Sequence, residues 1–279
     1  DEHSHIQTKI MAALRSRPAV CPLSDAEIAD IAAYIGCVVG CSEDVHRRPQ
    51  GDVSCEMRPN LLAAWRAFAK DPDDQPELWM VRGAPLGIRV APIDAGIFPK
   101  YLDERPDNDP EDVAARTEDC DGSFYQRITD LDDDAQVEIK KLIEKKYMME
   151  FDSLAEAATY LSEDPVVSDL IVLEKKHAGG VKKRFIVNLK RSGVSSASRK
   201  SERVLLPRTL DPVWDLLDLL HQKAKAKDAK WIDKVKVLIV VIDFSDAFFQ
   251  IPLGFIERRF AVVQFRGKYY VFTRAPQGS

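Results

Sequence analysis

A chain of 279 residues with 45% hydrophobic and 30% charged content is long enough for one to two domains with a real core. No apolar run approaches the length of a membrane span. The net charge of −5 hides a split: Asp103 to Asp134 holds thirteen acidic and three basic residues, and Glu174 to Arg203 holds ten basic and two acidic. Local charge is therefore the better guide to partners.

Residues 1 to 23 carry little pattern. Ser24-Asp-Ala-Glu27 is a capping box and opens a helix that Gly40 ends, with Ile28, Ile31, Ala32, Ile35, Val38 and Val39 on one face. Leu61 to Lys70 fits a second helix, with Leu61, Leu62, Trp65 and Phe68 as a buried stripe. Residues 71 to 100 read as loops and short turns, and their glycines are wrongly spaced for a phosphate cradle.

The cysteines are Cys21, Cys37, Cys41, Cys55 and Cys120. An odd count with no secretory signal before it fits a reduced, intracellular chain, cytoplasmic or nuclear. Cys37, Cys41, His46 and Cys55 are spaced Cys-x3-Cys-x4-His-x8-Cys, longer in the first and last gaps than a retroviral zinc knuckle. They read as ordinary thiols rather than as a zinc set.

Residues 101 to 131 are acidic and proline-interrupted, and read as a solvated or disordered linker. It separates a mainly helical segment, 1–100, from a second unit, 132–279. Asp132-Asp-Asp134 starts a helix through about Met149, with Val137, Leu142, Ile143 and Tyr147 on its apolar face. Ser153-Leu-Ala-Glu156 caps a further short helix. Leu170 to Leu173 and Arg184 to Leu189 read as strands joined by a glycine-containing turn. Asp211-Pro212 starts a helix through about Lys223, with Val213, Leu216, Leu217 and Leu220 inward. Phe260 to Phe265 and Lys268 to Thr273 form a hairpin around Arg266-Gly267.

The most informative stretch is Leu238 to Leu253, LIVVIDFSDAFFQIPL. Leu238 to Ile242 is a continuous, β-branched apolar run, as in a strand buried on both faces. It delivers Asp243 at its end. A carboxylate there is costly without a cation, a donor or water, or a turn to cap. Of the adjacent Phe248 and Phe249, only one can point into a sheet core, so the other needs a different role.

The pattern Asp-apolar-x-x-Ala-Phe-Phe-x-x-Pro-Leu resembles the first carboxylate motif of reverse transcriptases. Arg274-Ala-Pro-Gln-Gly-Ser279 resembles the Pro-Gln-Gly motif that follows it in that family. Lys183-Arg-Phe-Ile-Val-Asn-Leu-Lys190 resembles the family's basic fingers strand. The three occur in family order across Asp164 to Ser279. Asn188 stands where the family usually has Asp, and Lys190 where Arg is usual.

The resemblance implies a retroelement RNA-directed DNA polymerase. The fold expected is α+β: right-hand polymerase fingers and an incomplete palm, an antiparallel sheet with helices on one face. Asp243 would be the first catalytic aspartate and a magnesium ligand, with the Phe244 carbonyl beside it. Manganese can take magnesium's place. Asp246 and Ala247 would face the triphosphate, and Phe248 would stack under the sugar and exclude a 2′-hydroxyl. Arg184, with Lys175 or Lys176, would grip the triphosphate, a good match of guanidinium to phosphate. Gln277 and Gly278 would line the nucleotide site. Lys182, Lys183, Arg191, Arg199, Lys200 and Arg203 suit backbone contacts to a template.

The implied partners are an RNA or DNA template-primer, deoxynucleoside triphosphates and the rest of a polyprotein, with no membrane. The family's other two catalytic aspartates lie in an aromatic-x-Asp-Asp hairpin that these residues do not contain. Both ends read as cut from something longer, and this piece alone is expected to be inactive. The alternative is a non-catalytic nucleic-acid-binding remnant of a decayed or domesticated retroelement.

Overall fold

The computed structural model describes residues 4–16, 21–51, 56–102, 109–120, 132–177, 180–203, 205, 208, 210–226 and 246–276. In its first part the helices are α1 (Ser4–Ser16), α2 (Asp25–Val38), α3 (Pro59–Ala69), α4 (Gln75–Arg82) and α5 (Pro110–Glu118). The expected capping box opens α2: the Ser24 hydroxyl accepts from Glu27 N, and the Glu27 carboxylate accepts from Ser24 N. Lys9 reinforces that carboxylate and, with the Ser24 bonds, draws its pKa down to about 2. The stripe expected on α3 is not buried, since Trp65 is 50% and Phe68 62% exposed.

Two elements arise where loops were expected. The first is α4, whose Glu77 is held by Arg66 Nε at 2.5 Å. The second is α5, inside the acidic stretch expected to be linker. Asp109 caps it by accepting from Glu111 N, and Pro110 sits at its first position. Composition misleads there because one residue anchors the helix. Arg116 is 1% exposed, binds Asp112, and donates to Ile88 O from both Nε and Nη2.

The second part contains α6 (Asp132–Glu144), β1 (Met148–Phe151), α7 (Leu154–Leu161), β2 (Val167–His177), β3 (Gly180–Asn188), α8 (Val194–Ala197), α9 (Asp211–Lys225), β4 (Val262–Phe265) and β5 (Lys268–Phe272). Ser153 caps α7 as expected, accepting from Glu156 N. The expected helix through Met149 stops at Glu144. Lys146 takes a left-handed φ of 60°, and Met148–Phe151 becomes an edge strand.

Strand order is β1-β5-β4-β2-β3. Neighbouring strands are antiparallel except β2 and β4, which run parallel at Val167–Val262 and Ser168–Val263. The sheet is thus mixed, not antiparallel. A parallel pair needs a long crossover, and the segment carrying α9 provides one. Helices also cover both faces. On one face Ile139 and Leu142 of α6 pack with Leu170, Val187, Val263 and Phe272. On the other, Ala157 and Leu161 of α7 pack with Val262 and Val271. The cause is legible in β4 and β5: Val262, Val263, Val271 and Phe272 are consecutive apolar pairs, buried on both sides. The α+β class holds; the one-faced arrangement does not.

The stretch 83–90 is threaded into this body rather than packed apart from it. Ala84 N donates to Pro252 O at 2.7 Å, and Gly254 N returns the bond to Ala84 O at 3.0 Å. Gly83 permits the approach: its φ is +87°, and a Cβ there would lie 2.3 Å from Gly254 N. Ile88 is fully buried in the core beside Leu253 and Phe260. Glu163 then joins the two regions by accepting from both Arg89 and Arg259.

Candidate functional site

Asp243, Phe244, Gln277 and Gly278 lie outside the described residues, as does the expected strand Leu238–Ile242. The described part of the first motif starts at Asp246, in the left-handed region at φ 54°, and continues into a 3₁₀ turn, Ala247–Gln250. Gln250 N closes the turn on Asp246 O at 3.1 Å.

The end of α6 holds this turn in place. Because Lys146 is left-handed, the chain reverses, with Tyr147 N donating to Leu142 O at 2.8 Å. Lys145 Nζ then reaches Asp246 Oδ2 at 2.5 Å, and Tyr147 stacks on Phe249 at 5.1 Å with rings 8° apart. The bond from Asp246 raises the Lys145 pKa. Burial first, and the Asp246 charge second, raise that of Tyr147. Neither residue was singled out for the site from sequence. No local signal marks them, because Lys, Met and Glu all favour helix and the stop after Glu144 is set by pairing with β5.

The paired phenylalanines divide as the sequence required. Phe249 stacks between Tyr147 and Phe272, the latter ring 6.4 Å away. Phe248 is 48% exposed.

Backbone pairing brings the tail of the first motif to the start of the Pro-Gln-Gly motif. Pro252 bridges Arg274, Leu253 N donates to Thr273 O at 2.9 Å, and Ala275 N donates to Ile251 O at 2.9 Å. Residues remote in sequence thus run side by side at one end of β5.

The basic strands form a long hairpin. Register pairs Leu173 with Arg184, Lys175 with Lys182 and Lys176 with Val181. Among the described residues, Asp169 to His177 pairs with β3 alone, over roughly 25 Å of strand. At its base, Asn188 Oδ1 accepts from Arg191 N at 3.3 Å, while the register partner Asp169 pairs with Arg191 at 3.1 Å. Asp169 thus places a carboxylate on the strand beside Asn188.

Asp246 is engaged by Lys145, and Asp243 lies outside the described residues. Among the described residues no group of three or more His, Cys, Asp or Glu side chains could hold a metal. Of the Cys and His set, Cys37 is exposed, Cys41 Sγ donates to Asn60 O at 3.6 Å, and Cys55 lies outside the described residues. Among the described residues no helix is long and apolar enough to cross a membrane.

Comparison with protein-family models, with curated proteins and with solved structures finds no match.

Proposed function

We propose that the chain is the fingers and part of the palm of a retroelement reverse transcriptase, an RNA-directed DNA polymerase when its remaining carboxylates are supplied. The observation that carries the reading is the pairing of Ile251–Leu253 with Thr273–Ala275, which sets the two resembling motifs next to each other. Separate motifs forming one site is what nucleotidyl transfer needs, because attacking and leaving groups must be held together.

In this reading Arg184 and Lys175 or Lys176, from the two paired strands of the hairpin, hold the triphosphate. The backbone donors of Asp246 and Ala247 meet phosphate oxygens while Lys145 keeps the Asp246 carboxylate turned to its own ion pair. The exposed Phe248 ring lies under the sugar and excludes a ribose, with Phe249 fixing the turn from below. Gln277 and Gly278 line the template side. The Asp243 carboxylate and the Phe244 carbonyl would hold magnesium, which when bound neutralises charge gathering on phosphate oxygens.

The test is Mg²⁺-dependent binding of a labelled deoxynucleoside triphosphate by a chain continuing through the aromatic-x-Asp-Asp hairpin. Asp243→Ala should remove the Mg²⁺-dependence. Equal Mg²⁺-dependence in both proteins would refute the assignment. Template binding without nucleotide binding would favour the non-catalytic remnant.

A further inference from the structure

The region before Asp164, which the family resemblance does not cover, contributes half of a second groove. The segment Arg199 to Arg203 lies against residues 87 and 99–101. Arg199 N donates to Gly87 O at 2.9 Å, Tyr101 N to Ser201 O at 3.0 Å and Arg203 N to Pro99 O at 2.8 Å. Lys100 and Glu202 form an antiparallel bridge between them. Along this seam runs an open cavity of about 580 Å³, whose walls include Trp79, Phe98, Tyr101, Lys200 and Arg203.

The charges along the groove are not equivalent. Glu202 lines it, but its Oε1 accepts from Ile97 N at 3.1 Å and Phe98 N at 3.4 Å. Arg199 is buried and binds Asp112 at 3.2 Å. Asp73 lies on the wall beside Trp79. Lys200 and Arg203 are exposed cations, and Lys200 Nζ sits 5.6 Å from the centre of the Tyr101 ring, itself 45% exposed.

An exposed ring, Tyr101, with the half-buried Trp79 and Phe98 along the same open trough and two exposed cations beside it, matches unpaired bases on a phosphate backbone. Bases stack on rings whatever their sequence, and phosphates meet the ammonium and guanidinium groups. A duplex keeps its base faces stacked inside and cannot use the rings. We infer that the groove between residues 73–101 and 199–203 binds single-stranded nucleic acid, with Tyr101 as a stacking platform and Lys200 and Arg203 on the backbone. This deepens the polymerase reading and rests on it for its biological meaning: residues 73–101 extend the track of the template strand.

The test needs neither metal nor nucleotide. The whole 279-residue chain is titrated into fluorescein-labelled dT12 or U12, and anisotropy is read at several salt concentrations. The double variant Lys200→Glu/Arg203→Glu should weaken binding at least about 10-fold, and should lower the salt slope by roughly 1.4, or 0.7 per phosphate contact. Tyr101→Ala should cost roughly 5- to 100-fold, and Tyr101→Phe should restore it. Lys223→Glu/Lys225→Glu on α9 should change binding less than about 2-fold, and a duplex of equal length should bind more weakly. An α9 effect equal to the groove effect, wild-type binding by Tyr101→Ala, or equal binding of poly-glutamate would overturn the inference. Asp243→Ala should bind the strand as wild type does, so a failed nucleotide test and a failed groove test stay distinguishable.

Discussion

Phe248 and Phe249 are neighbours of identical chemistry with opposite surroundings. Phe249 stacks with both Tyr147 and Phe272, so Phe249→Ala should destabilise the chain by about 2–4 kcal/mol in denaturant melts. Phe248→Ala should change stability by less than about 1 kcal/mol, since the ring is half exposed. In an active polymerase it should instead reduce selection of deoxy- over ribonucleotides by about 10- to 100-fold. Glu257 is a different residue-scale case. It is fully buried, its Oε1 accepts from Arg89 N and Val90 N, and burial raises its carboxyl above the ordinary 4.5. The folded chain therefore keeps this proton at a pH where the unfolded chain has released it. Its contribution to stability is full below about 4.5 and is lost as pH rises through the higher folded value. Glu257→Gln keeps an acceptor for the same amides and cannot ionise. Melting profiles of the variant should lose that component of the decline above about pH 4.5; a decline as steep as wild type's would contradict this.

At the scale of elements, the legible ones carried their own local code. The Ser24 box fixed the start of α2, Ser153 that of α7, and Arg266-Gly267 the turn between β4 and β5. The elements missed were decided by partners far away in sequence. α5 looks unstructured until Arg116 meets Ile88 O, and α4 depends on a Glu77–Arg66 pair. β1 exists because β5 offers it an edge, which local helix propensity at Lys145–Met149 does not foresee. The converse error is α9. Its apolar spacing promised an inward face, yet none of its residues is buried among the described residues, and Trp214 is 67% exposed. Trp214→Ser should shift chain stability by no more than about 0.5 kcal/mol. A loss of several kcal/mol in thermal or chemical melts would show that this face is covered after all.

At the scale of the whole molecule, part of the first segment belongs to the core of the second. Ile88 in the core, the Ala84–Pro252 and Gly254–Ala84 bonds, and Glu163 between Arg89 and Arg259 connect residues 83–90 to the sheet. Ile88→Ala should cost about 2–5 kcal/mol and destabilise the sheet together with the segment. Separate melting of the segment, with the sheet transition unmoved, would contradict that. Of the candidate site, the division of the two phenylalanines was readable from sequence, and so was the basic hairpin, though not its register. The Lys145–Asp246 tie was not, because it joins elements a hundred residues apart that only the fold brings together. In the function we propose, Asp243 belongs to a polymerase site assembled from these motifs. Its most direct test is primer extension on an RNA template, with Mg²⁺ and deoxynucleotides, by a chain continuing through the aromatic-x-Asp-Asp hairpin. Incorporation should fall at least about 1,000-fold in Asp243→Ala; incorporation unchanged by that substitution, or none by the unsubstituted chain, would refute the proposed site.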